Sequence, residues 1–312
     1  MTNAKAPYYE SRFLRANAAD GSRAIWLRET LLLPTSGEAS ADVWVMVFDP
    51  AGHRAHKQSY PVADATFGDD PWDVRIGPTN LDDASATGTV PGHGYWELAI
   101  TPGGQEPVRV LSERAYRARI PTAKTVVRHP QARFDGRLLL DGADLDIDGW
   151  TGSVDHNWGT RHTPAYAYGQ VCAFDDAPDS TLEIVTARAA VGPVLLPGVT
   201  LFVFRHGGEE FAVRSISGSL QTHGRYRPFT WAFGGRVGEQ MIEGEITTVP
   251  ADVIGLTYTD THGGTKYCYN SAIARCRIQL AGKGITRTEL TSRQAMFEIL
   301  TDDPLADVPL LA

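Results

Sequence analysis

Leu138-Leu139-Leu140-Asp141-Gly142-Ala143-Asp144-Leu145-Asp146-Ile147-Asp148-Gly149-Trp150-Thr151-Gly152-Ser153-Val154-Asp155-His156-Asn157-Trp158-Gly159 is the stretch that decides the fold. Leu140-Asp141-Gly142 reads as a hairpin turn joining two strands predicted over 133–140 and 143–154. The second strand runs into a segment where an acid, an imidazole, an amide and an indole crowd together before a glycine. Asp155 can carry charge or accept a proton, and His156 titrates near neutrality. Asn157 offers both a donor and an acceptor. Trp158 brings a large apolar surface with one N–H that needs a partner when buried. Gly159 frees the backbone for a sharp turn. Such a cluster at the end of a strand reads as the lining of a site.

Outward from this hairpin, short apolar runs alternate with turn residues along the whole chain, the pattern of many closely spaced strands. Tyr9 to Leu14 and Ile25 to Leu33 flank a turn at Asp20-Gly21. Val43, Val45 and Val47 alternate with Trp44, Met46 and Phe48, so that strand is apolar on both faces and predicted to be buried on both. Further strands are expected at 55–60, 73–76 and 94–100, and repeatedly from 164 to 290. Residues 61–93 read as loops with brief strands. Only Ser112 to Arg119 and Ser292 to Thr301 show helical spacing. The fold class is therefore all-β: two consecutive antiparallel β-barrels or sandwiches with few short helices. We place the division near 160, giving domains 1–160 and 161–312, with the motif at their junction.

The bulk composition agrees. A chain of 312 residues exceeds the size at which one core stops growing. A hydrophobic fraction of 42% and a charged fraction of 21% are those of a soluble globular protein. The formal net charge of −8 disfavours nucleic acid, because phosphate binding needs a basic face. The start, Met1 to Pro7, has no apolar h-region, and no run reaches membrane-spanning length, so the expected setting is cytoplasmic with no integral membrane segment. Cys172, Cys268 and Cys276 are read as reduced thiols.

Period-two reading of 165–174 puts Tyr166, Tyr168, Gln170, Cys172 and Phe174 on one face and Ala165, Ala167, Gly169, Val171 and Ala173 on the other. Phe202 and Phe204 share a face, as do Phe229, Trp231 and Phe233, and later Tyr258 and Asp260. If these faces converge, the second half holds an aromatic interior. It is either an ordinary filled core or a pocket for a long apolar molecule, which would need more than ~300 Å³.

The residues now in hand resemble a known family. Asp155-His156-Asn157-Trp158-Gly159 followed by a Tyr-rich strand is similar to the signature of the carotenoid 1,2-hydratase (hydroxyneurosporene synthase) and AttH-like lipocalin-related superfamily. Tyr9-Glu10-Ser11-Arg12-Phe13-Leu14-Arg15-Ala16-Asn17 and Arg23-Ala24-Ile25-Trp26-Leu27-Arg28 look like the opening of AttH-like proteins. The resemblance implies two consecutive lipocalin-like barrels, hydration or cyclisation of polyenes, and no metal or organic cofactor. It matches His156 and Trp158 to the family's His-x-Trp pair. Where the family carries Tyr-x-Asp on a later strand, this chain has Thr181-Leu182-Glu183-Ile184-Val185, with Glu183 the only acid.

These readings give Asp155, His156 and Glu183 as candidate catalytic groups, with Asn157, Trp158, Tyr166, Tyr168, Trp231 and Tyr258 as candidate substrate contacts. The expected partner is an apolar terpenoid, polyene or polyketide-like molecule, hydrated, dehydrated or cyclised with acid assistance. The alternative is a non-catalytic carrier for a lipophilic molecule, which needs the same cavity but no poised acid. No metal-ligand spacing stands out, and no phosphate loop or G-x-S-x-G is present.

Overall fold

Each half of the chain curls its strands by pairing the first strand with the last hairpin. A computed structural model describes residues 4–69, 72–191 and 194–312; Asp70 and Pro71, within the expected loop region, and Met1 to Asn3 lie outside them. In the first half an 11-stranded sheet runs from strand Tyr8–Asn17 to strand Ala143–Gly159. Those two strands pair antiparallel, Tyr9 opposite Gly159 and Asn17 opposite Thr151. In the second half a 10-stranded sheet begins with Ala165–Val171, which pairs with the final strand, Ile285–Thr301. The outcome is two barrel-like antiparallel sheets in series, the expected all-β architecture.

The long hairpin of the first sheet joins Ala123–Leu140 to Ala143–Gly159. Its turn residues Asp141 and Gly142 take φ of 45° and 79°, the left-handed pair that a two-residue hairpin demands. Residues 61–93 do form brief strands, among them Ala65–Asp69 and Ser85–Val90. The helix Glu113–Arg117 forms where its spacing predicts, with the Ser112 side chain accepting the Ala115 N–H. The expected helix over 292–301 is instead part of the strand Ile285–Thr301. Residues 295–300 are buried on both faces there, which removes the alternation that marks a half-exposed strand.

Three apolar layers follow. Leu14, Leu27, Val45, Leu98, Phe134 and Val154 belong to the core of the first barrel. Val171, Ile184, Phe202, Trp231, Phe233 and Phe297 belong to that of the second. Between the barrels lies a seam built by Phe13, Trp26, Trp44, Phe48, Tyr168, Tyr258 and Met296 among others. Strand Ser40–Phe48 serves two layers at once: its valines enter the first barrel while Trp44, Met46 and Phe48 enter the seam.

The seam corrects one expectation. Sequence reading turns Tyr166, Tyr168, Gln170 and Cys172 into the second barrel, alongside Trp231. In the structure Tyr168 packs in the seam, while Ala167 and Val171 of the opposite face fill the barrel with Trp231. Volume explains the choice. A β-carbon built on Gly169 would stand 2.5 Å from Ile246 Cδ1 and 3.0 Å from Trp231 Cζ3, so the strand can offer only small residues to this interior. The second barrel is a packed core and not the hollow chamber that a lipophilic ligand would need.

Candidate functional site at the seam between the barrels

Adjacent residues of a strand point to opposite faces, and this separates the motif into two sets. Val154, His156 and Trp158 continue the inner face of the first barrel. Ser153 and Asp155 face the second barrel. Gly159 takes no left-handed φ; its role is close approach, since a β-carbon there would lie 2.2 Å from the Thr122 carbonyl oxygen.

On the barrel side, His156 Nε2 lies 2.9 Å from Glu10 Oε1, and the His156 ring stacks on Trp158 at 4.6 Å. Tyr8 and Arg12 also donate to Glu10. Burial works to raise Glu10, but the bonds from His156, Arg12 and Tyr8 outweigh it and hold the carboxyl below its ordinary value. Trp158 also faces Tyr116 of the short helix, at 6.1 Å. Asn157 shares the seam-side face of its strand with Ser153 and Asp155, and its side-chain oxygen is buried and without a partner.

On the seam side, Asp155 is fully buried. Ser153 Oγ lies 2.6 Å from its Oδ2, and Gln170 Nε2 donates to its Oδ1 at 2.8 Å. Gln170 Oε1 in turn accepts from Arg15 Nε at 2.6 Å. Arg15 is also fully buried and donates to Asn17 Oδ1 and to the carbonyls of Gln170 and Gln294. Glu183 stands directly across from Gln170 on the neighbouring strand, Thr181–Arg188. It is 3% exposed, and neither of its carboxyl oxygens has a hydrogen-bond partner. The buried Tyr168 hydroxyl, on the same face two residues from Gln170, is also unpartnered.

Burial raises the pKa of both Asp155 and Glu183, and the charge of Asp155 raises Glu183 further. Arg15 opposes both shifts but supplies one positive charge for two carboxyls. The buried set is neutral when one carboxylate balances Arg15 and the other carboxyl keeps its proton. The two acids therefore titrate as a pair that holds a proton at neutral pH. The wall beside Glu183 is apolar: Val203 faces it across the sheet, and Val108 and Val110, from the connection before strand Ala123–Leu140, pack on Val203 with Val127 of that strand. A crevice lined by Val108, Pro130, Gln170, Leu182 and Glu183 marks this wall, closed here to a water-sized molecule.

Arg15 ties the network together, so Arg15→Met, which keeps the stem's apolar volume, is expected to lower stability by about 2–3 kcal/mol. The loss would take the Arg15 donor from two carbonyls and from Asn17 Oδ1, while Gln170 Oε1 would keep the Ser153 hydroxyl. Urea denaturation of both proteins measures it.

Elsewhere along the seam, Tyr166 donates to Glu298 and Arg28 donates to Tyr258. Tyr258, Arg28, Tyr9, Trp44 and His162 line a recess of about 60 Å³, room for a few water molecules. His162 Nδ1 lies 3.1 Å from Asp260 Oδ1, and its ring stacks on Tyr9 at 4.0 Å. Burial works to raise Asp260, but the His162 and Thr261 bonds dominate and bring it down to about 2.

The candidates thus part company. Asp155, Glu183 and Tyr168 come together on the seam. Tyr166 and Tyr258 line the same seam around Arg28. His156 and Trp158 lie on the other face of their strand, and Trp231 lies across the second sheet in the filled core. Arg15 and His162 escape sequence reading, and so do the partners of Gln170 and Asp260, because these residues meet only across long stretches of chain. The available signal is charge in the opening strand, where Glu10, Arg12 and Arg15 interrupt the apolar residues.

Three further structural facts bear on chemistry. Among the described residues, His56, His93 and Asp141 form a trio able to hold a metal ion. The three cysteines are free and buried. Among the described residues, no helix is long and apolar enough to cross a membrane.

No protein-family model matches the chain. A protein found in two strains of Mycobacterium tuberculosis is 27% identical over 264 residues, covering 83% of this chain and 77% of the relative, and is itself uncharacterized. Among solved structures, a Nitrosomonas europaea protein assigned as an AttH superposes with a TM-score of 0.58 at 13% identity, over 97% of this chain and 94% of its own. Kievitone hydratase from Nectria haematococca superposes with a TM-score of 0.57 at 8% identity, over 95% of this chain and 89% of its own. The chain therefore shares the two-barrel lipocalin-like fold of these proteins over nearly its whole length.

Proposed function

We propose that this chain is a hydro-lyase-type enzyme acting on an apolar, unsaturated small molecule at the seam between domains 1–160 and 161–312, with the Asp155–Glu183 pair as its acid. The observation that carries the reading is the pair itself: two buried carboxyls sharing one compensating cation, with both Glu183 oxygens and the Tyr168 hydroxyl unpartnered. Protonated carboxyls of this kind can donate to carbon or to a carbonyl oxygen. In hydration, the π electrons of an alkene take the pair's proton to form a C–H bond. Water then adds to the cation, and its excess proton returns to the carboxylate. In cyclisation, a second alkene captures the cation by forming a C–C bond, and the new cation loses a C–H proton to the carboxylate to give a neutral isomer. The valine wall favours an isoprenoid or polyketide-type hydrocarbon over a charged substrate. Tyr166, Tyr168 and Tyr258 would contact it along the seam. His156, Asn157 and Trp158 would brace the strand that carries Asp155. The shared fold of a hydratase agrees with the reading.

The test is incubation with a panel of isoprenoid and polyketide-type alkenes in D₂O, followed by mass spectrometry. Hydration gives a product heavier by one D₂O, and cyclisation gives an isomer with deuterium on carbon. A molecule retained unchanged would favour the carrier reading and defeat this one.

A further inference from the structure

The end of the first barrel opposite the motif carries a second constellation. His56 lies on strand Arg54–Tyr60, His93 in the turn between Ser85–Val90 and Gly94–Pro102, and Asp141 at the tip of the long hairpin. From Asp141 to Asp155 the strand runs roughly 45 Å, so this group is remote from the acid pair. One donor atom from each of the three residues lies within 4.8 Å of the others. His56 Nε2 contacts one Asp141 oxygen, and His93 Nδ1 lies 2.9 Å from the other. The two imidazole rings face each other at 3.7 Å between centroids.

We propose that His56, His93 and Asp141 bind a divalent transition-metal ion of the zinc type. Two imidazole nitrogens and one carboxylate oxygen are the donor set such ions prefer, with water completing a tetrahedron. The site is built in advance. Asp141 holds a left-handed φ of 45°, and its N–H donates to the His93 carbonyl at 2.9 Å, fixing two of the ligands relative to each other. The His56, Asp141 and His93 side chains are 24%, 37% and 43% exposed, enough for an ion to enter and keep a water. Mg²⁺ and Ca²⁺ prefer an all-oxygen shell and fit poorly. The metal would join strand Arg54–Tyr60, at one edge of the sheet order, to hairpin tips several strands away, and so clamp the barrel end.

Titration of the purified protein with Co²⁺, followed by visible absorption, and with Zn²⁺, followed by equilibrium dialysis, tests the assignment. One equivalent should bind, and Zn²⁺ should raise the melting temperature. His56→Ala, His93→Ala and Asp141→Asn should each weaken Zn²⁺ binding more than about tenfold and remove the thermal shift. Asparagine tolerates the left-handed φ, so the last variant keeps the turn. His223→Ala, at an exposed histidine on another sheet, should bind as wild type. Wild-type binding no tighter than that of the His56→Ala, His93→Ala double variant would overturn the proposal and leave a hydrogen-bonded His–Asp–His clasp. Unchanged binding in Asp141→Asn together with His56→Ala would overturn it equally.

Discussion

Glu183→Gln should cut turnover on the substrate found by the deuterium assay about 10²–10⁴-fold, the span typical of losing a general acid. Gln matches the protonated carboxyl in size, so the fold should hold and ligand retention should change little. The side chain removed is the one whose two oxygens have no partner, beside a valine wall and the Tyr168 hydroxyl. Asp155→Asn should act differently. It removes the charge that raises Glu183, so the remaining acid should titrate lower and the alkaline limb of the pH–rate profile should move to lower pH. In wild type the rate should fall as pH rises through the pair's titration, because the proton is then lost. A pH profile of kcat for the three proteins measures both effects. Full activity in Glu183→Gln would remove the carboxyl pair from the mechanism.

Glu29→Gln should stabilise the protein, and the gain should grow with pH. Glu29 lies on strand Ala24–Leu33, opposite Arg12 and Val43. It is 1% exposed, and its Oε2 has no partner. Arg12 directs its donors elsewhere, to Glu10, Asp69 and the carbonyls of Gly68 and Asp73. Burial alone pushes the Glu29 carboxyl from 4.5 up to about 8. The folded protein thus keeps a proton that the unfolded chain releases above about pH 4.5. Stability from this group is fully present below that pH, falls as pH rises toward about 8, and is flat beyond. The span corresponds to a ceiling of roughly 5 kcal/mol. Glu29→Gln should match wild type near pH 4 and exceed it by several kcal/mol near pH 8.5. Denaturant midpoints across this pH range decide it, and a constant difference would mean that Glu29 does not titrate in this window.

Sequence pattern discloses the fold class well and the site only by halves. Period-two alternation, the Asp141-Gly142 turn and the doubly apolar Val43 to Phe48 run suffice for strands and hairpins. They do not say which face of a strand is inside when both faces are buried. Tyr166 and Tyr168 show this: alternation groups them correctly, but only the bulk of Trp231 and Ile246 across the barrel assigns the small residues inward. The same limit explains the motif. Asp155 and His156 look like neighbours in the chain, and the strand sends them to different layers. Arg15 meets Gln170, 155 residues away, only after both sheets have closed, and no local pattern encodes that meeting.

Strand Ser40–Phe48, with one flank in each layer, has a consequence for how the molecule can be divided. A fragment ending after the first barrel would carry Trp26, Trp44, Met46 and Phe48 on a bare greasy side, and the second barrel alone would show Tyr168, Tyr258 and Met296. Separating the halves would uncover this shared layer on both, so recombination at the junction is expected to yield sticky pieces rather than interchangeable parts.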